Sequence, residues 1–157
     1  MKPVINLDEI KDYKQEKSGK FESSYAGISN LIGAVNLGYN ITIVPPGKTS
    51  CPFHNHRINE ELFIILEGNG TLRFGEKEFA LRANDFIACP PGEREVAHQI
   101  INTGKTDLKY LGISTSLPYD ICEYPDSNKI MSFDKLGLRH MSFSHDSVDY
   151  LAGEDED

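Results

Sequence analysis

The chain is short of basic charge, of paired cysteines and of long apolar runs, and each shortage removes a class of function. Sixteen Lys and Arg face twenty-four Asp and Glu, for a formal net charge of −8 over 157 residues. Non-specific binding to DNA, RNA or an anionic membrane needs clustered cations, so neither nucleic acid nor membrane is an expected partner. The three cysteines, Cys51, Cys89 and Cys122, are odd in number, widely spaced and without a C-x-x-C pair. That argues against a zinc ribbon and a redox dithiol, and free thiols fit a reducing cytoplasm. The first twenty residues are charged throughout and hold no apolar stretch of the signal-peptide kind, and no run is long enough to span a bilayer. A cytoplasmic location is the expectation. No internal repeat is present, and the stretch before Tyr39 is too short and unpatterned for a helix-turn-helix with its linker.

The length fits one domain, 1–157, with a sizeable core. Residues 1–30 are polar and read as an arm, with a helical turn at "NLDEIKDY" capped by Asn6 or Asp8. From Tyr39 the texture changes to short strands separated by Gly, Pro and Asn: "YNITIV", "ELFIILEG", "TLRFG", "KEFALRA", "DFIACPPG", "AHQIIN" and "DLKYLGIS". No long helical period lies among them, so the prediction is an all-β sandwich or barrel with its core at about 35–116. Gly68-Asn69-Gly70 and Asn102–Lys105 carry hairpin-turn chemistry. Residues 117–157 have no strong period and read as a strap with an acidic tail. Along 61–66, Glu61, Phe63 and Ile65 share one face and Leu62, Ile64 and Leu66 the other. Both faces need cover, one from the barrel interior and the other from a second sheet, a terminal segment or another subunit. A homodimer is the expected answer.

The chemistry concentrates in "CPFHNHRINEELFIILEGNG". His54 and His56, two apart, project from one face of a strand and can give two cis ligands to a metal. "RINE" turns the chain, and Glu61 comes back inward at a barrel mouth, with Glu60 in the turn or on the opposite face. His98 opens the strand that follows Pro90-Pro91-Gly92. Three imidazoles and one carboxylate suit a divalent transition metal (Zn, Fe, Mn or Ni) and are too rich in nitrogen for Ca or Mg. Four protein ligands leave open positions for a substrate. A lone His-x-His pair is uninformative, and the carboxylate and His98 give it meaning. His140 and His145 lack such a pattern and read as surface residues.

These motifs resemble the cupin superfamily, whose first motif is Gly, His-x-His, a short gap, Glu, six residues, Gly, and whose second is Pro-x-Gly, His, three residues, Asn. Gly47 stands one residue further from His54 than usual. Glu61, followed by 62–67 and Gly68, has the family spacing, and Glu60 does not. Gly92, His98 and Asn102 match the second motif. Two departures are Asn84, where the family has Gly before Asp85, and a longer gap from Gly92 to His98, expected to alter the pocket rim. The resemblance implies an all-β jelly-roll barrel, a double-stranded β-helix, with the metal on His54, His56, Glu61 and His98. More narrowly, "CEYPDSNK" and Val148–Glu154 look like small single-domain cupins described as sugar-phosphate isomerases.

Three functions follow as expectations, each with a small-molecule ligand or substrate. One is a metal-dependent isomerase or epimerase of a sugar or sugar phosphate, with Glu60, Glu93 or Glu95 as base and Arg57, Arg94 or Lys48 near a phosphate. Another is an Fe(II) dioxygenase on the same ligands. The last is a non-catalytic binding module. Arg73 is expected to face water. Cys51 and Cys89 read as small buried residues, with Cys51, three residues before His54, the one that could lie near the metal.

Overall fold

The computed structural model describes residues 3–154. The chain opens with a 3-10 turn, Leu7–Glu9, whose second amide, Asp8 N, donates to Asn6 Oδ1 at 2.9 Å, so Asn6 is the cap. Strands β1 (Lys14–Ser18) and β2 (Phe21–Gly27) then form a hairpin across Gly19-Lys20. A short helix α1 (Ser29–Ile32) leads to β3 (Leu37–Val44). There follow β4 (Asn55–His56), β5 (Glu61–Glu67), β6 (Asn69–Phe74), β7 (Lys77–Arg82), β8 (Phe86–Cys89), β9 (His98–Ile101) and β10 (Leu108–Thr115). Last come β11 (Tyr119–Tyr124), β12 (Lys129–Asp134) and β13 (Arg139–Phe143).

All paired strands run antiparallel. One sheet has the order β1-β2-β3-β10-β5-β8, and the others are β7-β6-β9 and β13-β12-β11-β4. An antiparallel bridge between His54 and His98 joins the β4 end of the last to β9. The seven strands expected between Tyr39 and Ser114 are all present. The inward face of β5 is the expected one: Phe63 and Ile65 pack with Val44, Leu72, Leu108 and Tyr110. Full burial of such side chains contributes about 1.5–3 kcal/mol each. On the opposite face, Leu66 packs with Leu111 against Ile10, Ala26, Ile28 and Ile41. The N-terminal segment therefore supplies part of the cover that the homodimer expectation gave to a partner.

Neither expected hairpin forms. β5 and β6 belong to different sheets, as do β9 and β10, so Gly68 and Asn102–Lys105 are corners where the chain changes sheet. Asn102 is fully buried there, and its Nδ2 donates to Val44 O at 2.7 Å and Thr106 O at 2.9 Å. Gly68 has φ +84, and a Cβ at that position would run into the Asp107 carbonyl. Gly68→Ala is therefore expected to destabilise by more than the roughly 1–2 kcal/mol of the left-handed backbone alone. Gly47→Ala, also at positive φ but with nothing within 4 Å, is the comparison. Equal urea midpoints for the two variants would remove the packing argument.

Both sequence departures find places in the backbone. Asn84 sits at φ 74, a conformation that glycine takes freely and that asparagine tolerates better than most residues. The extra residues after Gly92 form a 3-10 turn, Arg94–Val96. Arg94 and Glu95 line a separate cleft of 690 Å³ with Phe53, Arg73 and Lys77, so the insertion shapes that cleft instead of the rim of the histidine cavity.

The two ends correct the sequence reading. β1 is exposed along its length, "KQEKS", and shows no apolar period. In β11 the inward positions are Asp120 and Cys122 while Tyr119 and Ile121 point out. The usual binary pattern is inverted, which hid the strand.

Candidate metal centre

The histidines are set by backbone pairing. His54 N donates to His98 O at 3.1 Å and His98 N to His54 O at 2.7 Å, which fixes the two residues side by side. One residue on, Asn55 is wholly buried and its Nδ2 donates to Gly92 O at 2.9 Å and Glu123 Oε2 at 2.7 Å. Arg57 pairs with Glu123 at 2.8 Å and Glu93 at 3.0 Å. Alternate residues of "HNHR" thus stitch the strand to its neighbours and leave His54 and His56 on the other face.

Three imidazole nitrogens converge on one carboxylate oxygen. Glu61 Oε2 lies 3.0 Å from His98 Nε2, 3.4 Å from His56 Nε2 and 3.6 Å from His54 Nε2. Each ring meets an acceptor on its far side: Pro52 O at 2.9 Å for His54 Nδ1, Val96 O at 3.3 Å for His98 Nδ1, and Asp120 Oδ2 at 2.7 Å for His56 Nδ1. Acceptors at Nδ1 hold the proton there and turn Nε2 toward the shared point, the arrangement that metal-ligating histidines use. The ligand atoms of His54, Glu61 and His98 lie within 4.8 Å of one another, and His56 groups also with Asp120 and Cys122. The donor set therefore fits a transition metal, with His56 the outlying member.

The charges are tuned by burial and by each other. Burial opposes a charge on His54, but the Cys51 thiol and Glu61 outweigh it and raise its pKa to about 10. Burial likewise opposes a charge on His56, and Cys122 and Glu61 raise its pKa to about 11. His98 goes the other way, lowered by burial and by the charge on His54. For Glu61, burial is overcome by hydrogen bonds from the three histidines, which hold the carboxylate well below its usual range.

Above His54 and Glu61 opens a cavity of 280 Å³. Cys51, Phe63 and Tyr110 line it from the barrel, Asn40 and Thr42 from β3, and Glu16, Ser23 and Tyr25 from the N-terminal hairpin. Ser50 and Tyr110 share a 2.6 Å hydrogen bond at its wall. Tyr124, on β11, stacks on His54 with ring centroids 6.1 Å apart.

The other expected site residues lie elsewhere. Glu60 is exposed, its amide bonded to Thr115 Oγ1 at 2.9 Å, and Glu93 is held on the surface by Arg57. Neither lines the cavity, and Glu95 faces the other cleft. Arg73 does not face water alone, because it lies 3.7 Å over the Phe53 ring and makes two bonds to Asp126. Cys89 is buried, with its thiol pKa pushed up by burial, as expected of an inert residue. Cys51, half-buried, reaches the cavity. His140 and His145 are exposed. Sequence reasoning missed Asp120, Glu16, Ser23 and Tyr25. The only signal for Asp120 was a polar residue two before Cys122 in an otherwise strand-like segment.

Antiparallel sheets closed into a barrel, with three histidines and a glutamate converging inside, define a jelly-roll barrel of a known class. Residues 40–114, a little under half of the chain, match the family described as the Cupin domain. Auxin-binding protein 1 of Arabidopsis thaliana is 31% identical over 134 residues, which cover 79% of this chain and 65% of that protein. The oxalate-binding protein of Thermotoga maritima is 36% identical over 70 residues, 45% of this chain and 54% of its own length. The chain thus spans less than two thirds of either relative. Among solved structures, a candidate sugar phosphate isomerase from Acidithiobacillus ferrooxidans superposes with a TM-score of 0.85 at 24% identity, covering 94% of this chain and 96% of that one. A cupin-superfamily sugar phosphate isomerase from Silicibacter pomeroyi gives 0.81 at 22% identity, covering 92% and 95%. Among the described residues, no helix is long and apolar enough to cross a membrane.

Proposed function

We propose that the chain binds one divalent transition metal through His54, His56, Glu61 and His98 and acts on a sugar-type substrate as an isomerase or epimerase. The convergence of three Nε2 atoms on Glu61 Oε2 beneath a 280 Å³ cavity carries this reading. The likeness in fold to two structures described as sugar phosphate isomerases supports it. A bound metal would polarise a substrate carbonyl. The chain's own part is to hold the sugar hydroxyls against Asn40, Thr42 and Tyr25 and to move the α-proton. With Glu60 and Glu93 outside the cavity, that proton falls to an ionisable group that lines it, Glu16 or Cys51.

The test is elemental analysis of protein purified without added metal, followed by hydrogen exchange at the substrate carbon in heavy water. We expect about one metal per chain, and exchange that requires it. Protein that neither carries nor takes up metal would overturn the proposal. A second reading, a non-catalytic binder, draws on the surface positions of Glu60 and Glu93 and on relatives named for binding auxin and oxalate. Metal uptake and ligand binding without exchange would favour it.

A further inference from the structure

The histidine cavity is built for hydroxyl groups and has no provision for a phosphate. Among the described residues that line it there is no Lys or Arg, and the charged group added by the hairpin is the Glu16 carboxylate. The cations nearest the motifs in sequence are engaged elsewhere. Lys48 Nζ donates to Gly19 O at 2.9 Å and lies 3.6 Å from Glu22. Arg57 is held by Glu93 and Glu123, and Arg94 donates to Pro125 O at 3.1 Å. Lys14 shares the Glu16 face of β1 but does not line the cavity. Phosphate esters carry close to two negative charges at neutral pH and are met in proteins by Arg, Lys or a helix N-terminus. Here they would meet a carboxylate in a chain of net charge −8.

The remaining lining has the chemistry of sugar recognition. Ser23, Tyr25 and Thr42 present hydroxyls and Asn40 an amide, with the Phe63 ring as an apolar wall. Thr42 Oγ1 donates to Asn40 Oδ1 at 3.1 Å, so the amide oxygen is engaged within the lining and Nδ2 is the donor that Asn40 retains. A carboxylate is acceptor-only and can take two adjacent hydroxyl donors at once. The volume, 280 Å³, stands just below the roughly 300–1,000 Å³ usual for small-molecule sites, which suits a single sugar unit.

We propose that this site takes an uncharged polyhydroxy carbonyl compound, a free sugar, in preference to its phosphate ester, and that Glu16 on β1 enforces the choice. The proposal rests on the metal-site reading and names its substrate class. The test uses the full chain loaded with Co(II), with loading checked by elemental analysis. Glucose, fructose, ribose and their terminal phosphate esters are titrated while the cobalt absorption spectrum is followed. At least one free sugar is expected to bind about tenfold or more tighter than its ester, a difference that the Coulomb term at one exposed carboxylate can supply. Glu16→Gln should narrow the gap and Glu16→Lys should reverse it. Because β1 is exposed along its length, these changes leave the core untouched. An ester that binds as tightly as its free sugar overturns the substrate class, and so does a loaded protein whose spectrum no sugar perturbs. Protein that fails to take up cobalt sinks the metal reading, and the substrate proposal with it. A preserved preference in Glu16→Lys removes the role given to Glu16.

Discussion

Glu61→Gln lowers the affinity for Co(II) or Zn(II) by more than about a hundredfold, beyond the 10–100-fold usual for losing an outer partner of a metal ligand. Glu60→Gln leaves it within about twofold. The expectation follows from geometry: Glu61 Oε2 is within 3.6 Å of all three Nε2 atoms, whereas Glu60 is exposed. The amide keeps the shape but loses the charge. The loss also changes how affinity depends on pH. In the metal-free protein His54 and His56, with pKa values of about 10 and 11, hold their protons through neutral pH. Metal must displace those protons, so apparent affinity rises with pH and falls toward acid. In Glu61→Gln the histidines lose one of the two groups that raise them, so their pKa values fall and the pH dependence weakens. Calorimetry in buffers of different ionisation enthalpy measures both affinity and protons released, with circular dichroism to confirm folding. Equal effects of the two substitutions would overturn the assignment of Glu61.

What could be read from the sequence depended on what each strand faces. β5 and β10 lie between two packed layers, and β3 pairs along β10, so apolar side chains and Gly or Pro punctuation announced them. The four candidate ligands were readable for a related reason, because spacing along one strand and one turn decides where His54, His56 and Glu61 point. The cavity was not readable. Its outer wall comes from β1 and β2, whose side chains face the cavity and water instead of a packed core, so "KQEKSGKFESSY" carries no apolar alternation. The corners misled for a different reason. Gly68 and Asn102 have turn chemistry, but the turn chemistry of a hairpin and of a passage between sheets is the same at the level of φ. What separates them is the long-range partner, Asp107 for Gly68 and Val44 for Asn102.

The C-terminal strands reach the centre through Asp120, Cys122 and Tyr124, of which Asp120 holds His56 at the shortest distance, and Asp120→Asn should cost about as much as the loss of an outer metal partner allows. The carboxylate is buried, at 1% exposure, and accepts four hydrogen bonds. Ile121 N at 2.8 Å and Ile58 N at 3.1 Å reach Oδ1, while Asn59 Nδ2 at 2.7 Å and His56 Nδ1 at 2.7 Å reach Oδ2. All four partners donate, and an asparagine has only one accepting oxygen. The two backbone amides cannot move, so the oxygen stays with them and the new NH₂ group faces Asn59 and His56. His56 relieves the clash by giving up its Nδ1 proton and accepting at that atom. Its remaining proton then sits on Nε2, the nitrogen aimed at Glu61. A protonated Nε2 cannot bind a metal, so affinity falls by about 10–100-fold. The Asn59 donor is left unsatisfied in the interior, which destabilises the fold by about 1–3 kcal/mol. A purely structural role for Asp120 would lower stability without moving the imidazole proton. Nitrogen-15 chemical shifts of His56 separate the two, because they report which ring nitrogen is protonated. Zinc-loaded wild-type protein, in which the metal has displaced the Nε2 proton, should show Nδ1–H, and the variant Nε2–H. An unchanged tautomer with full metal affinity would show that Asp120 does not position His56.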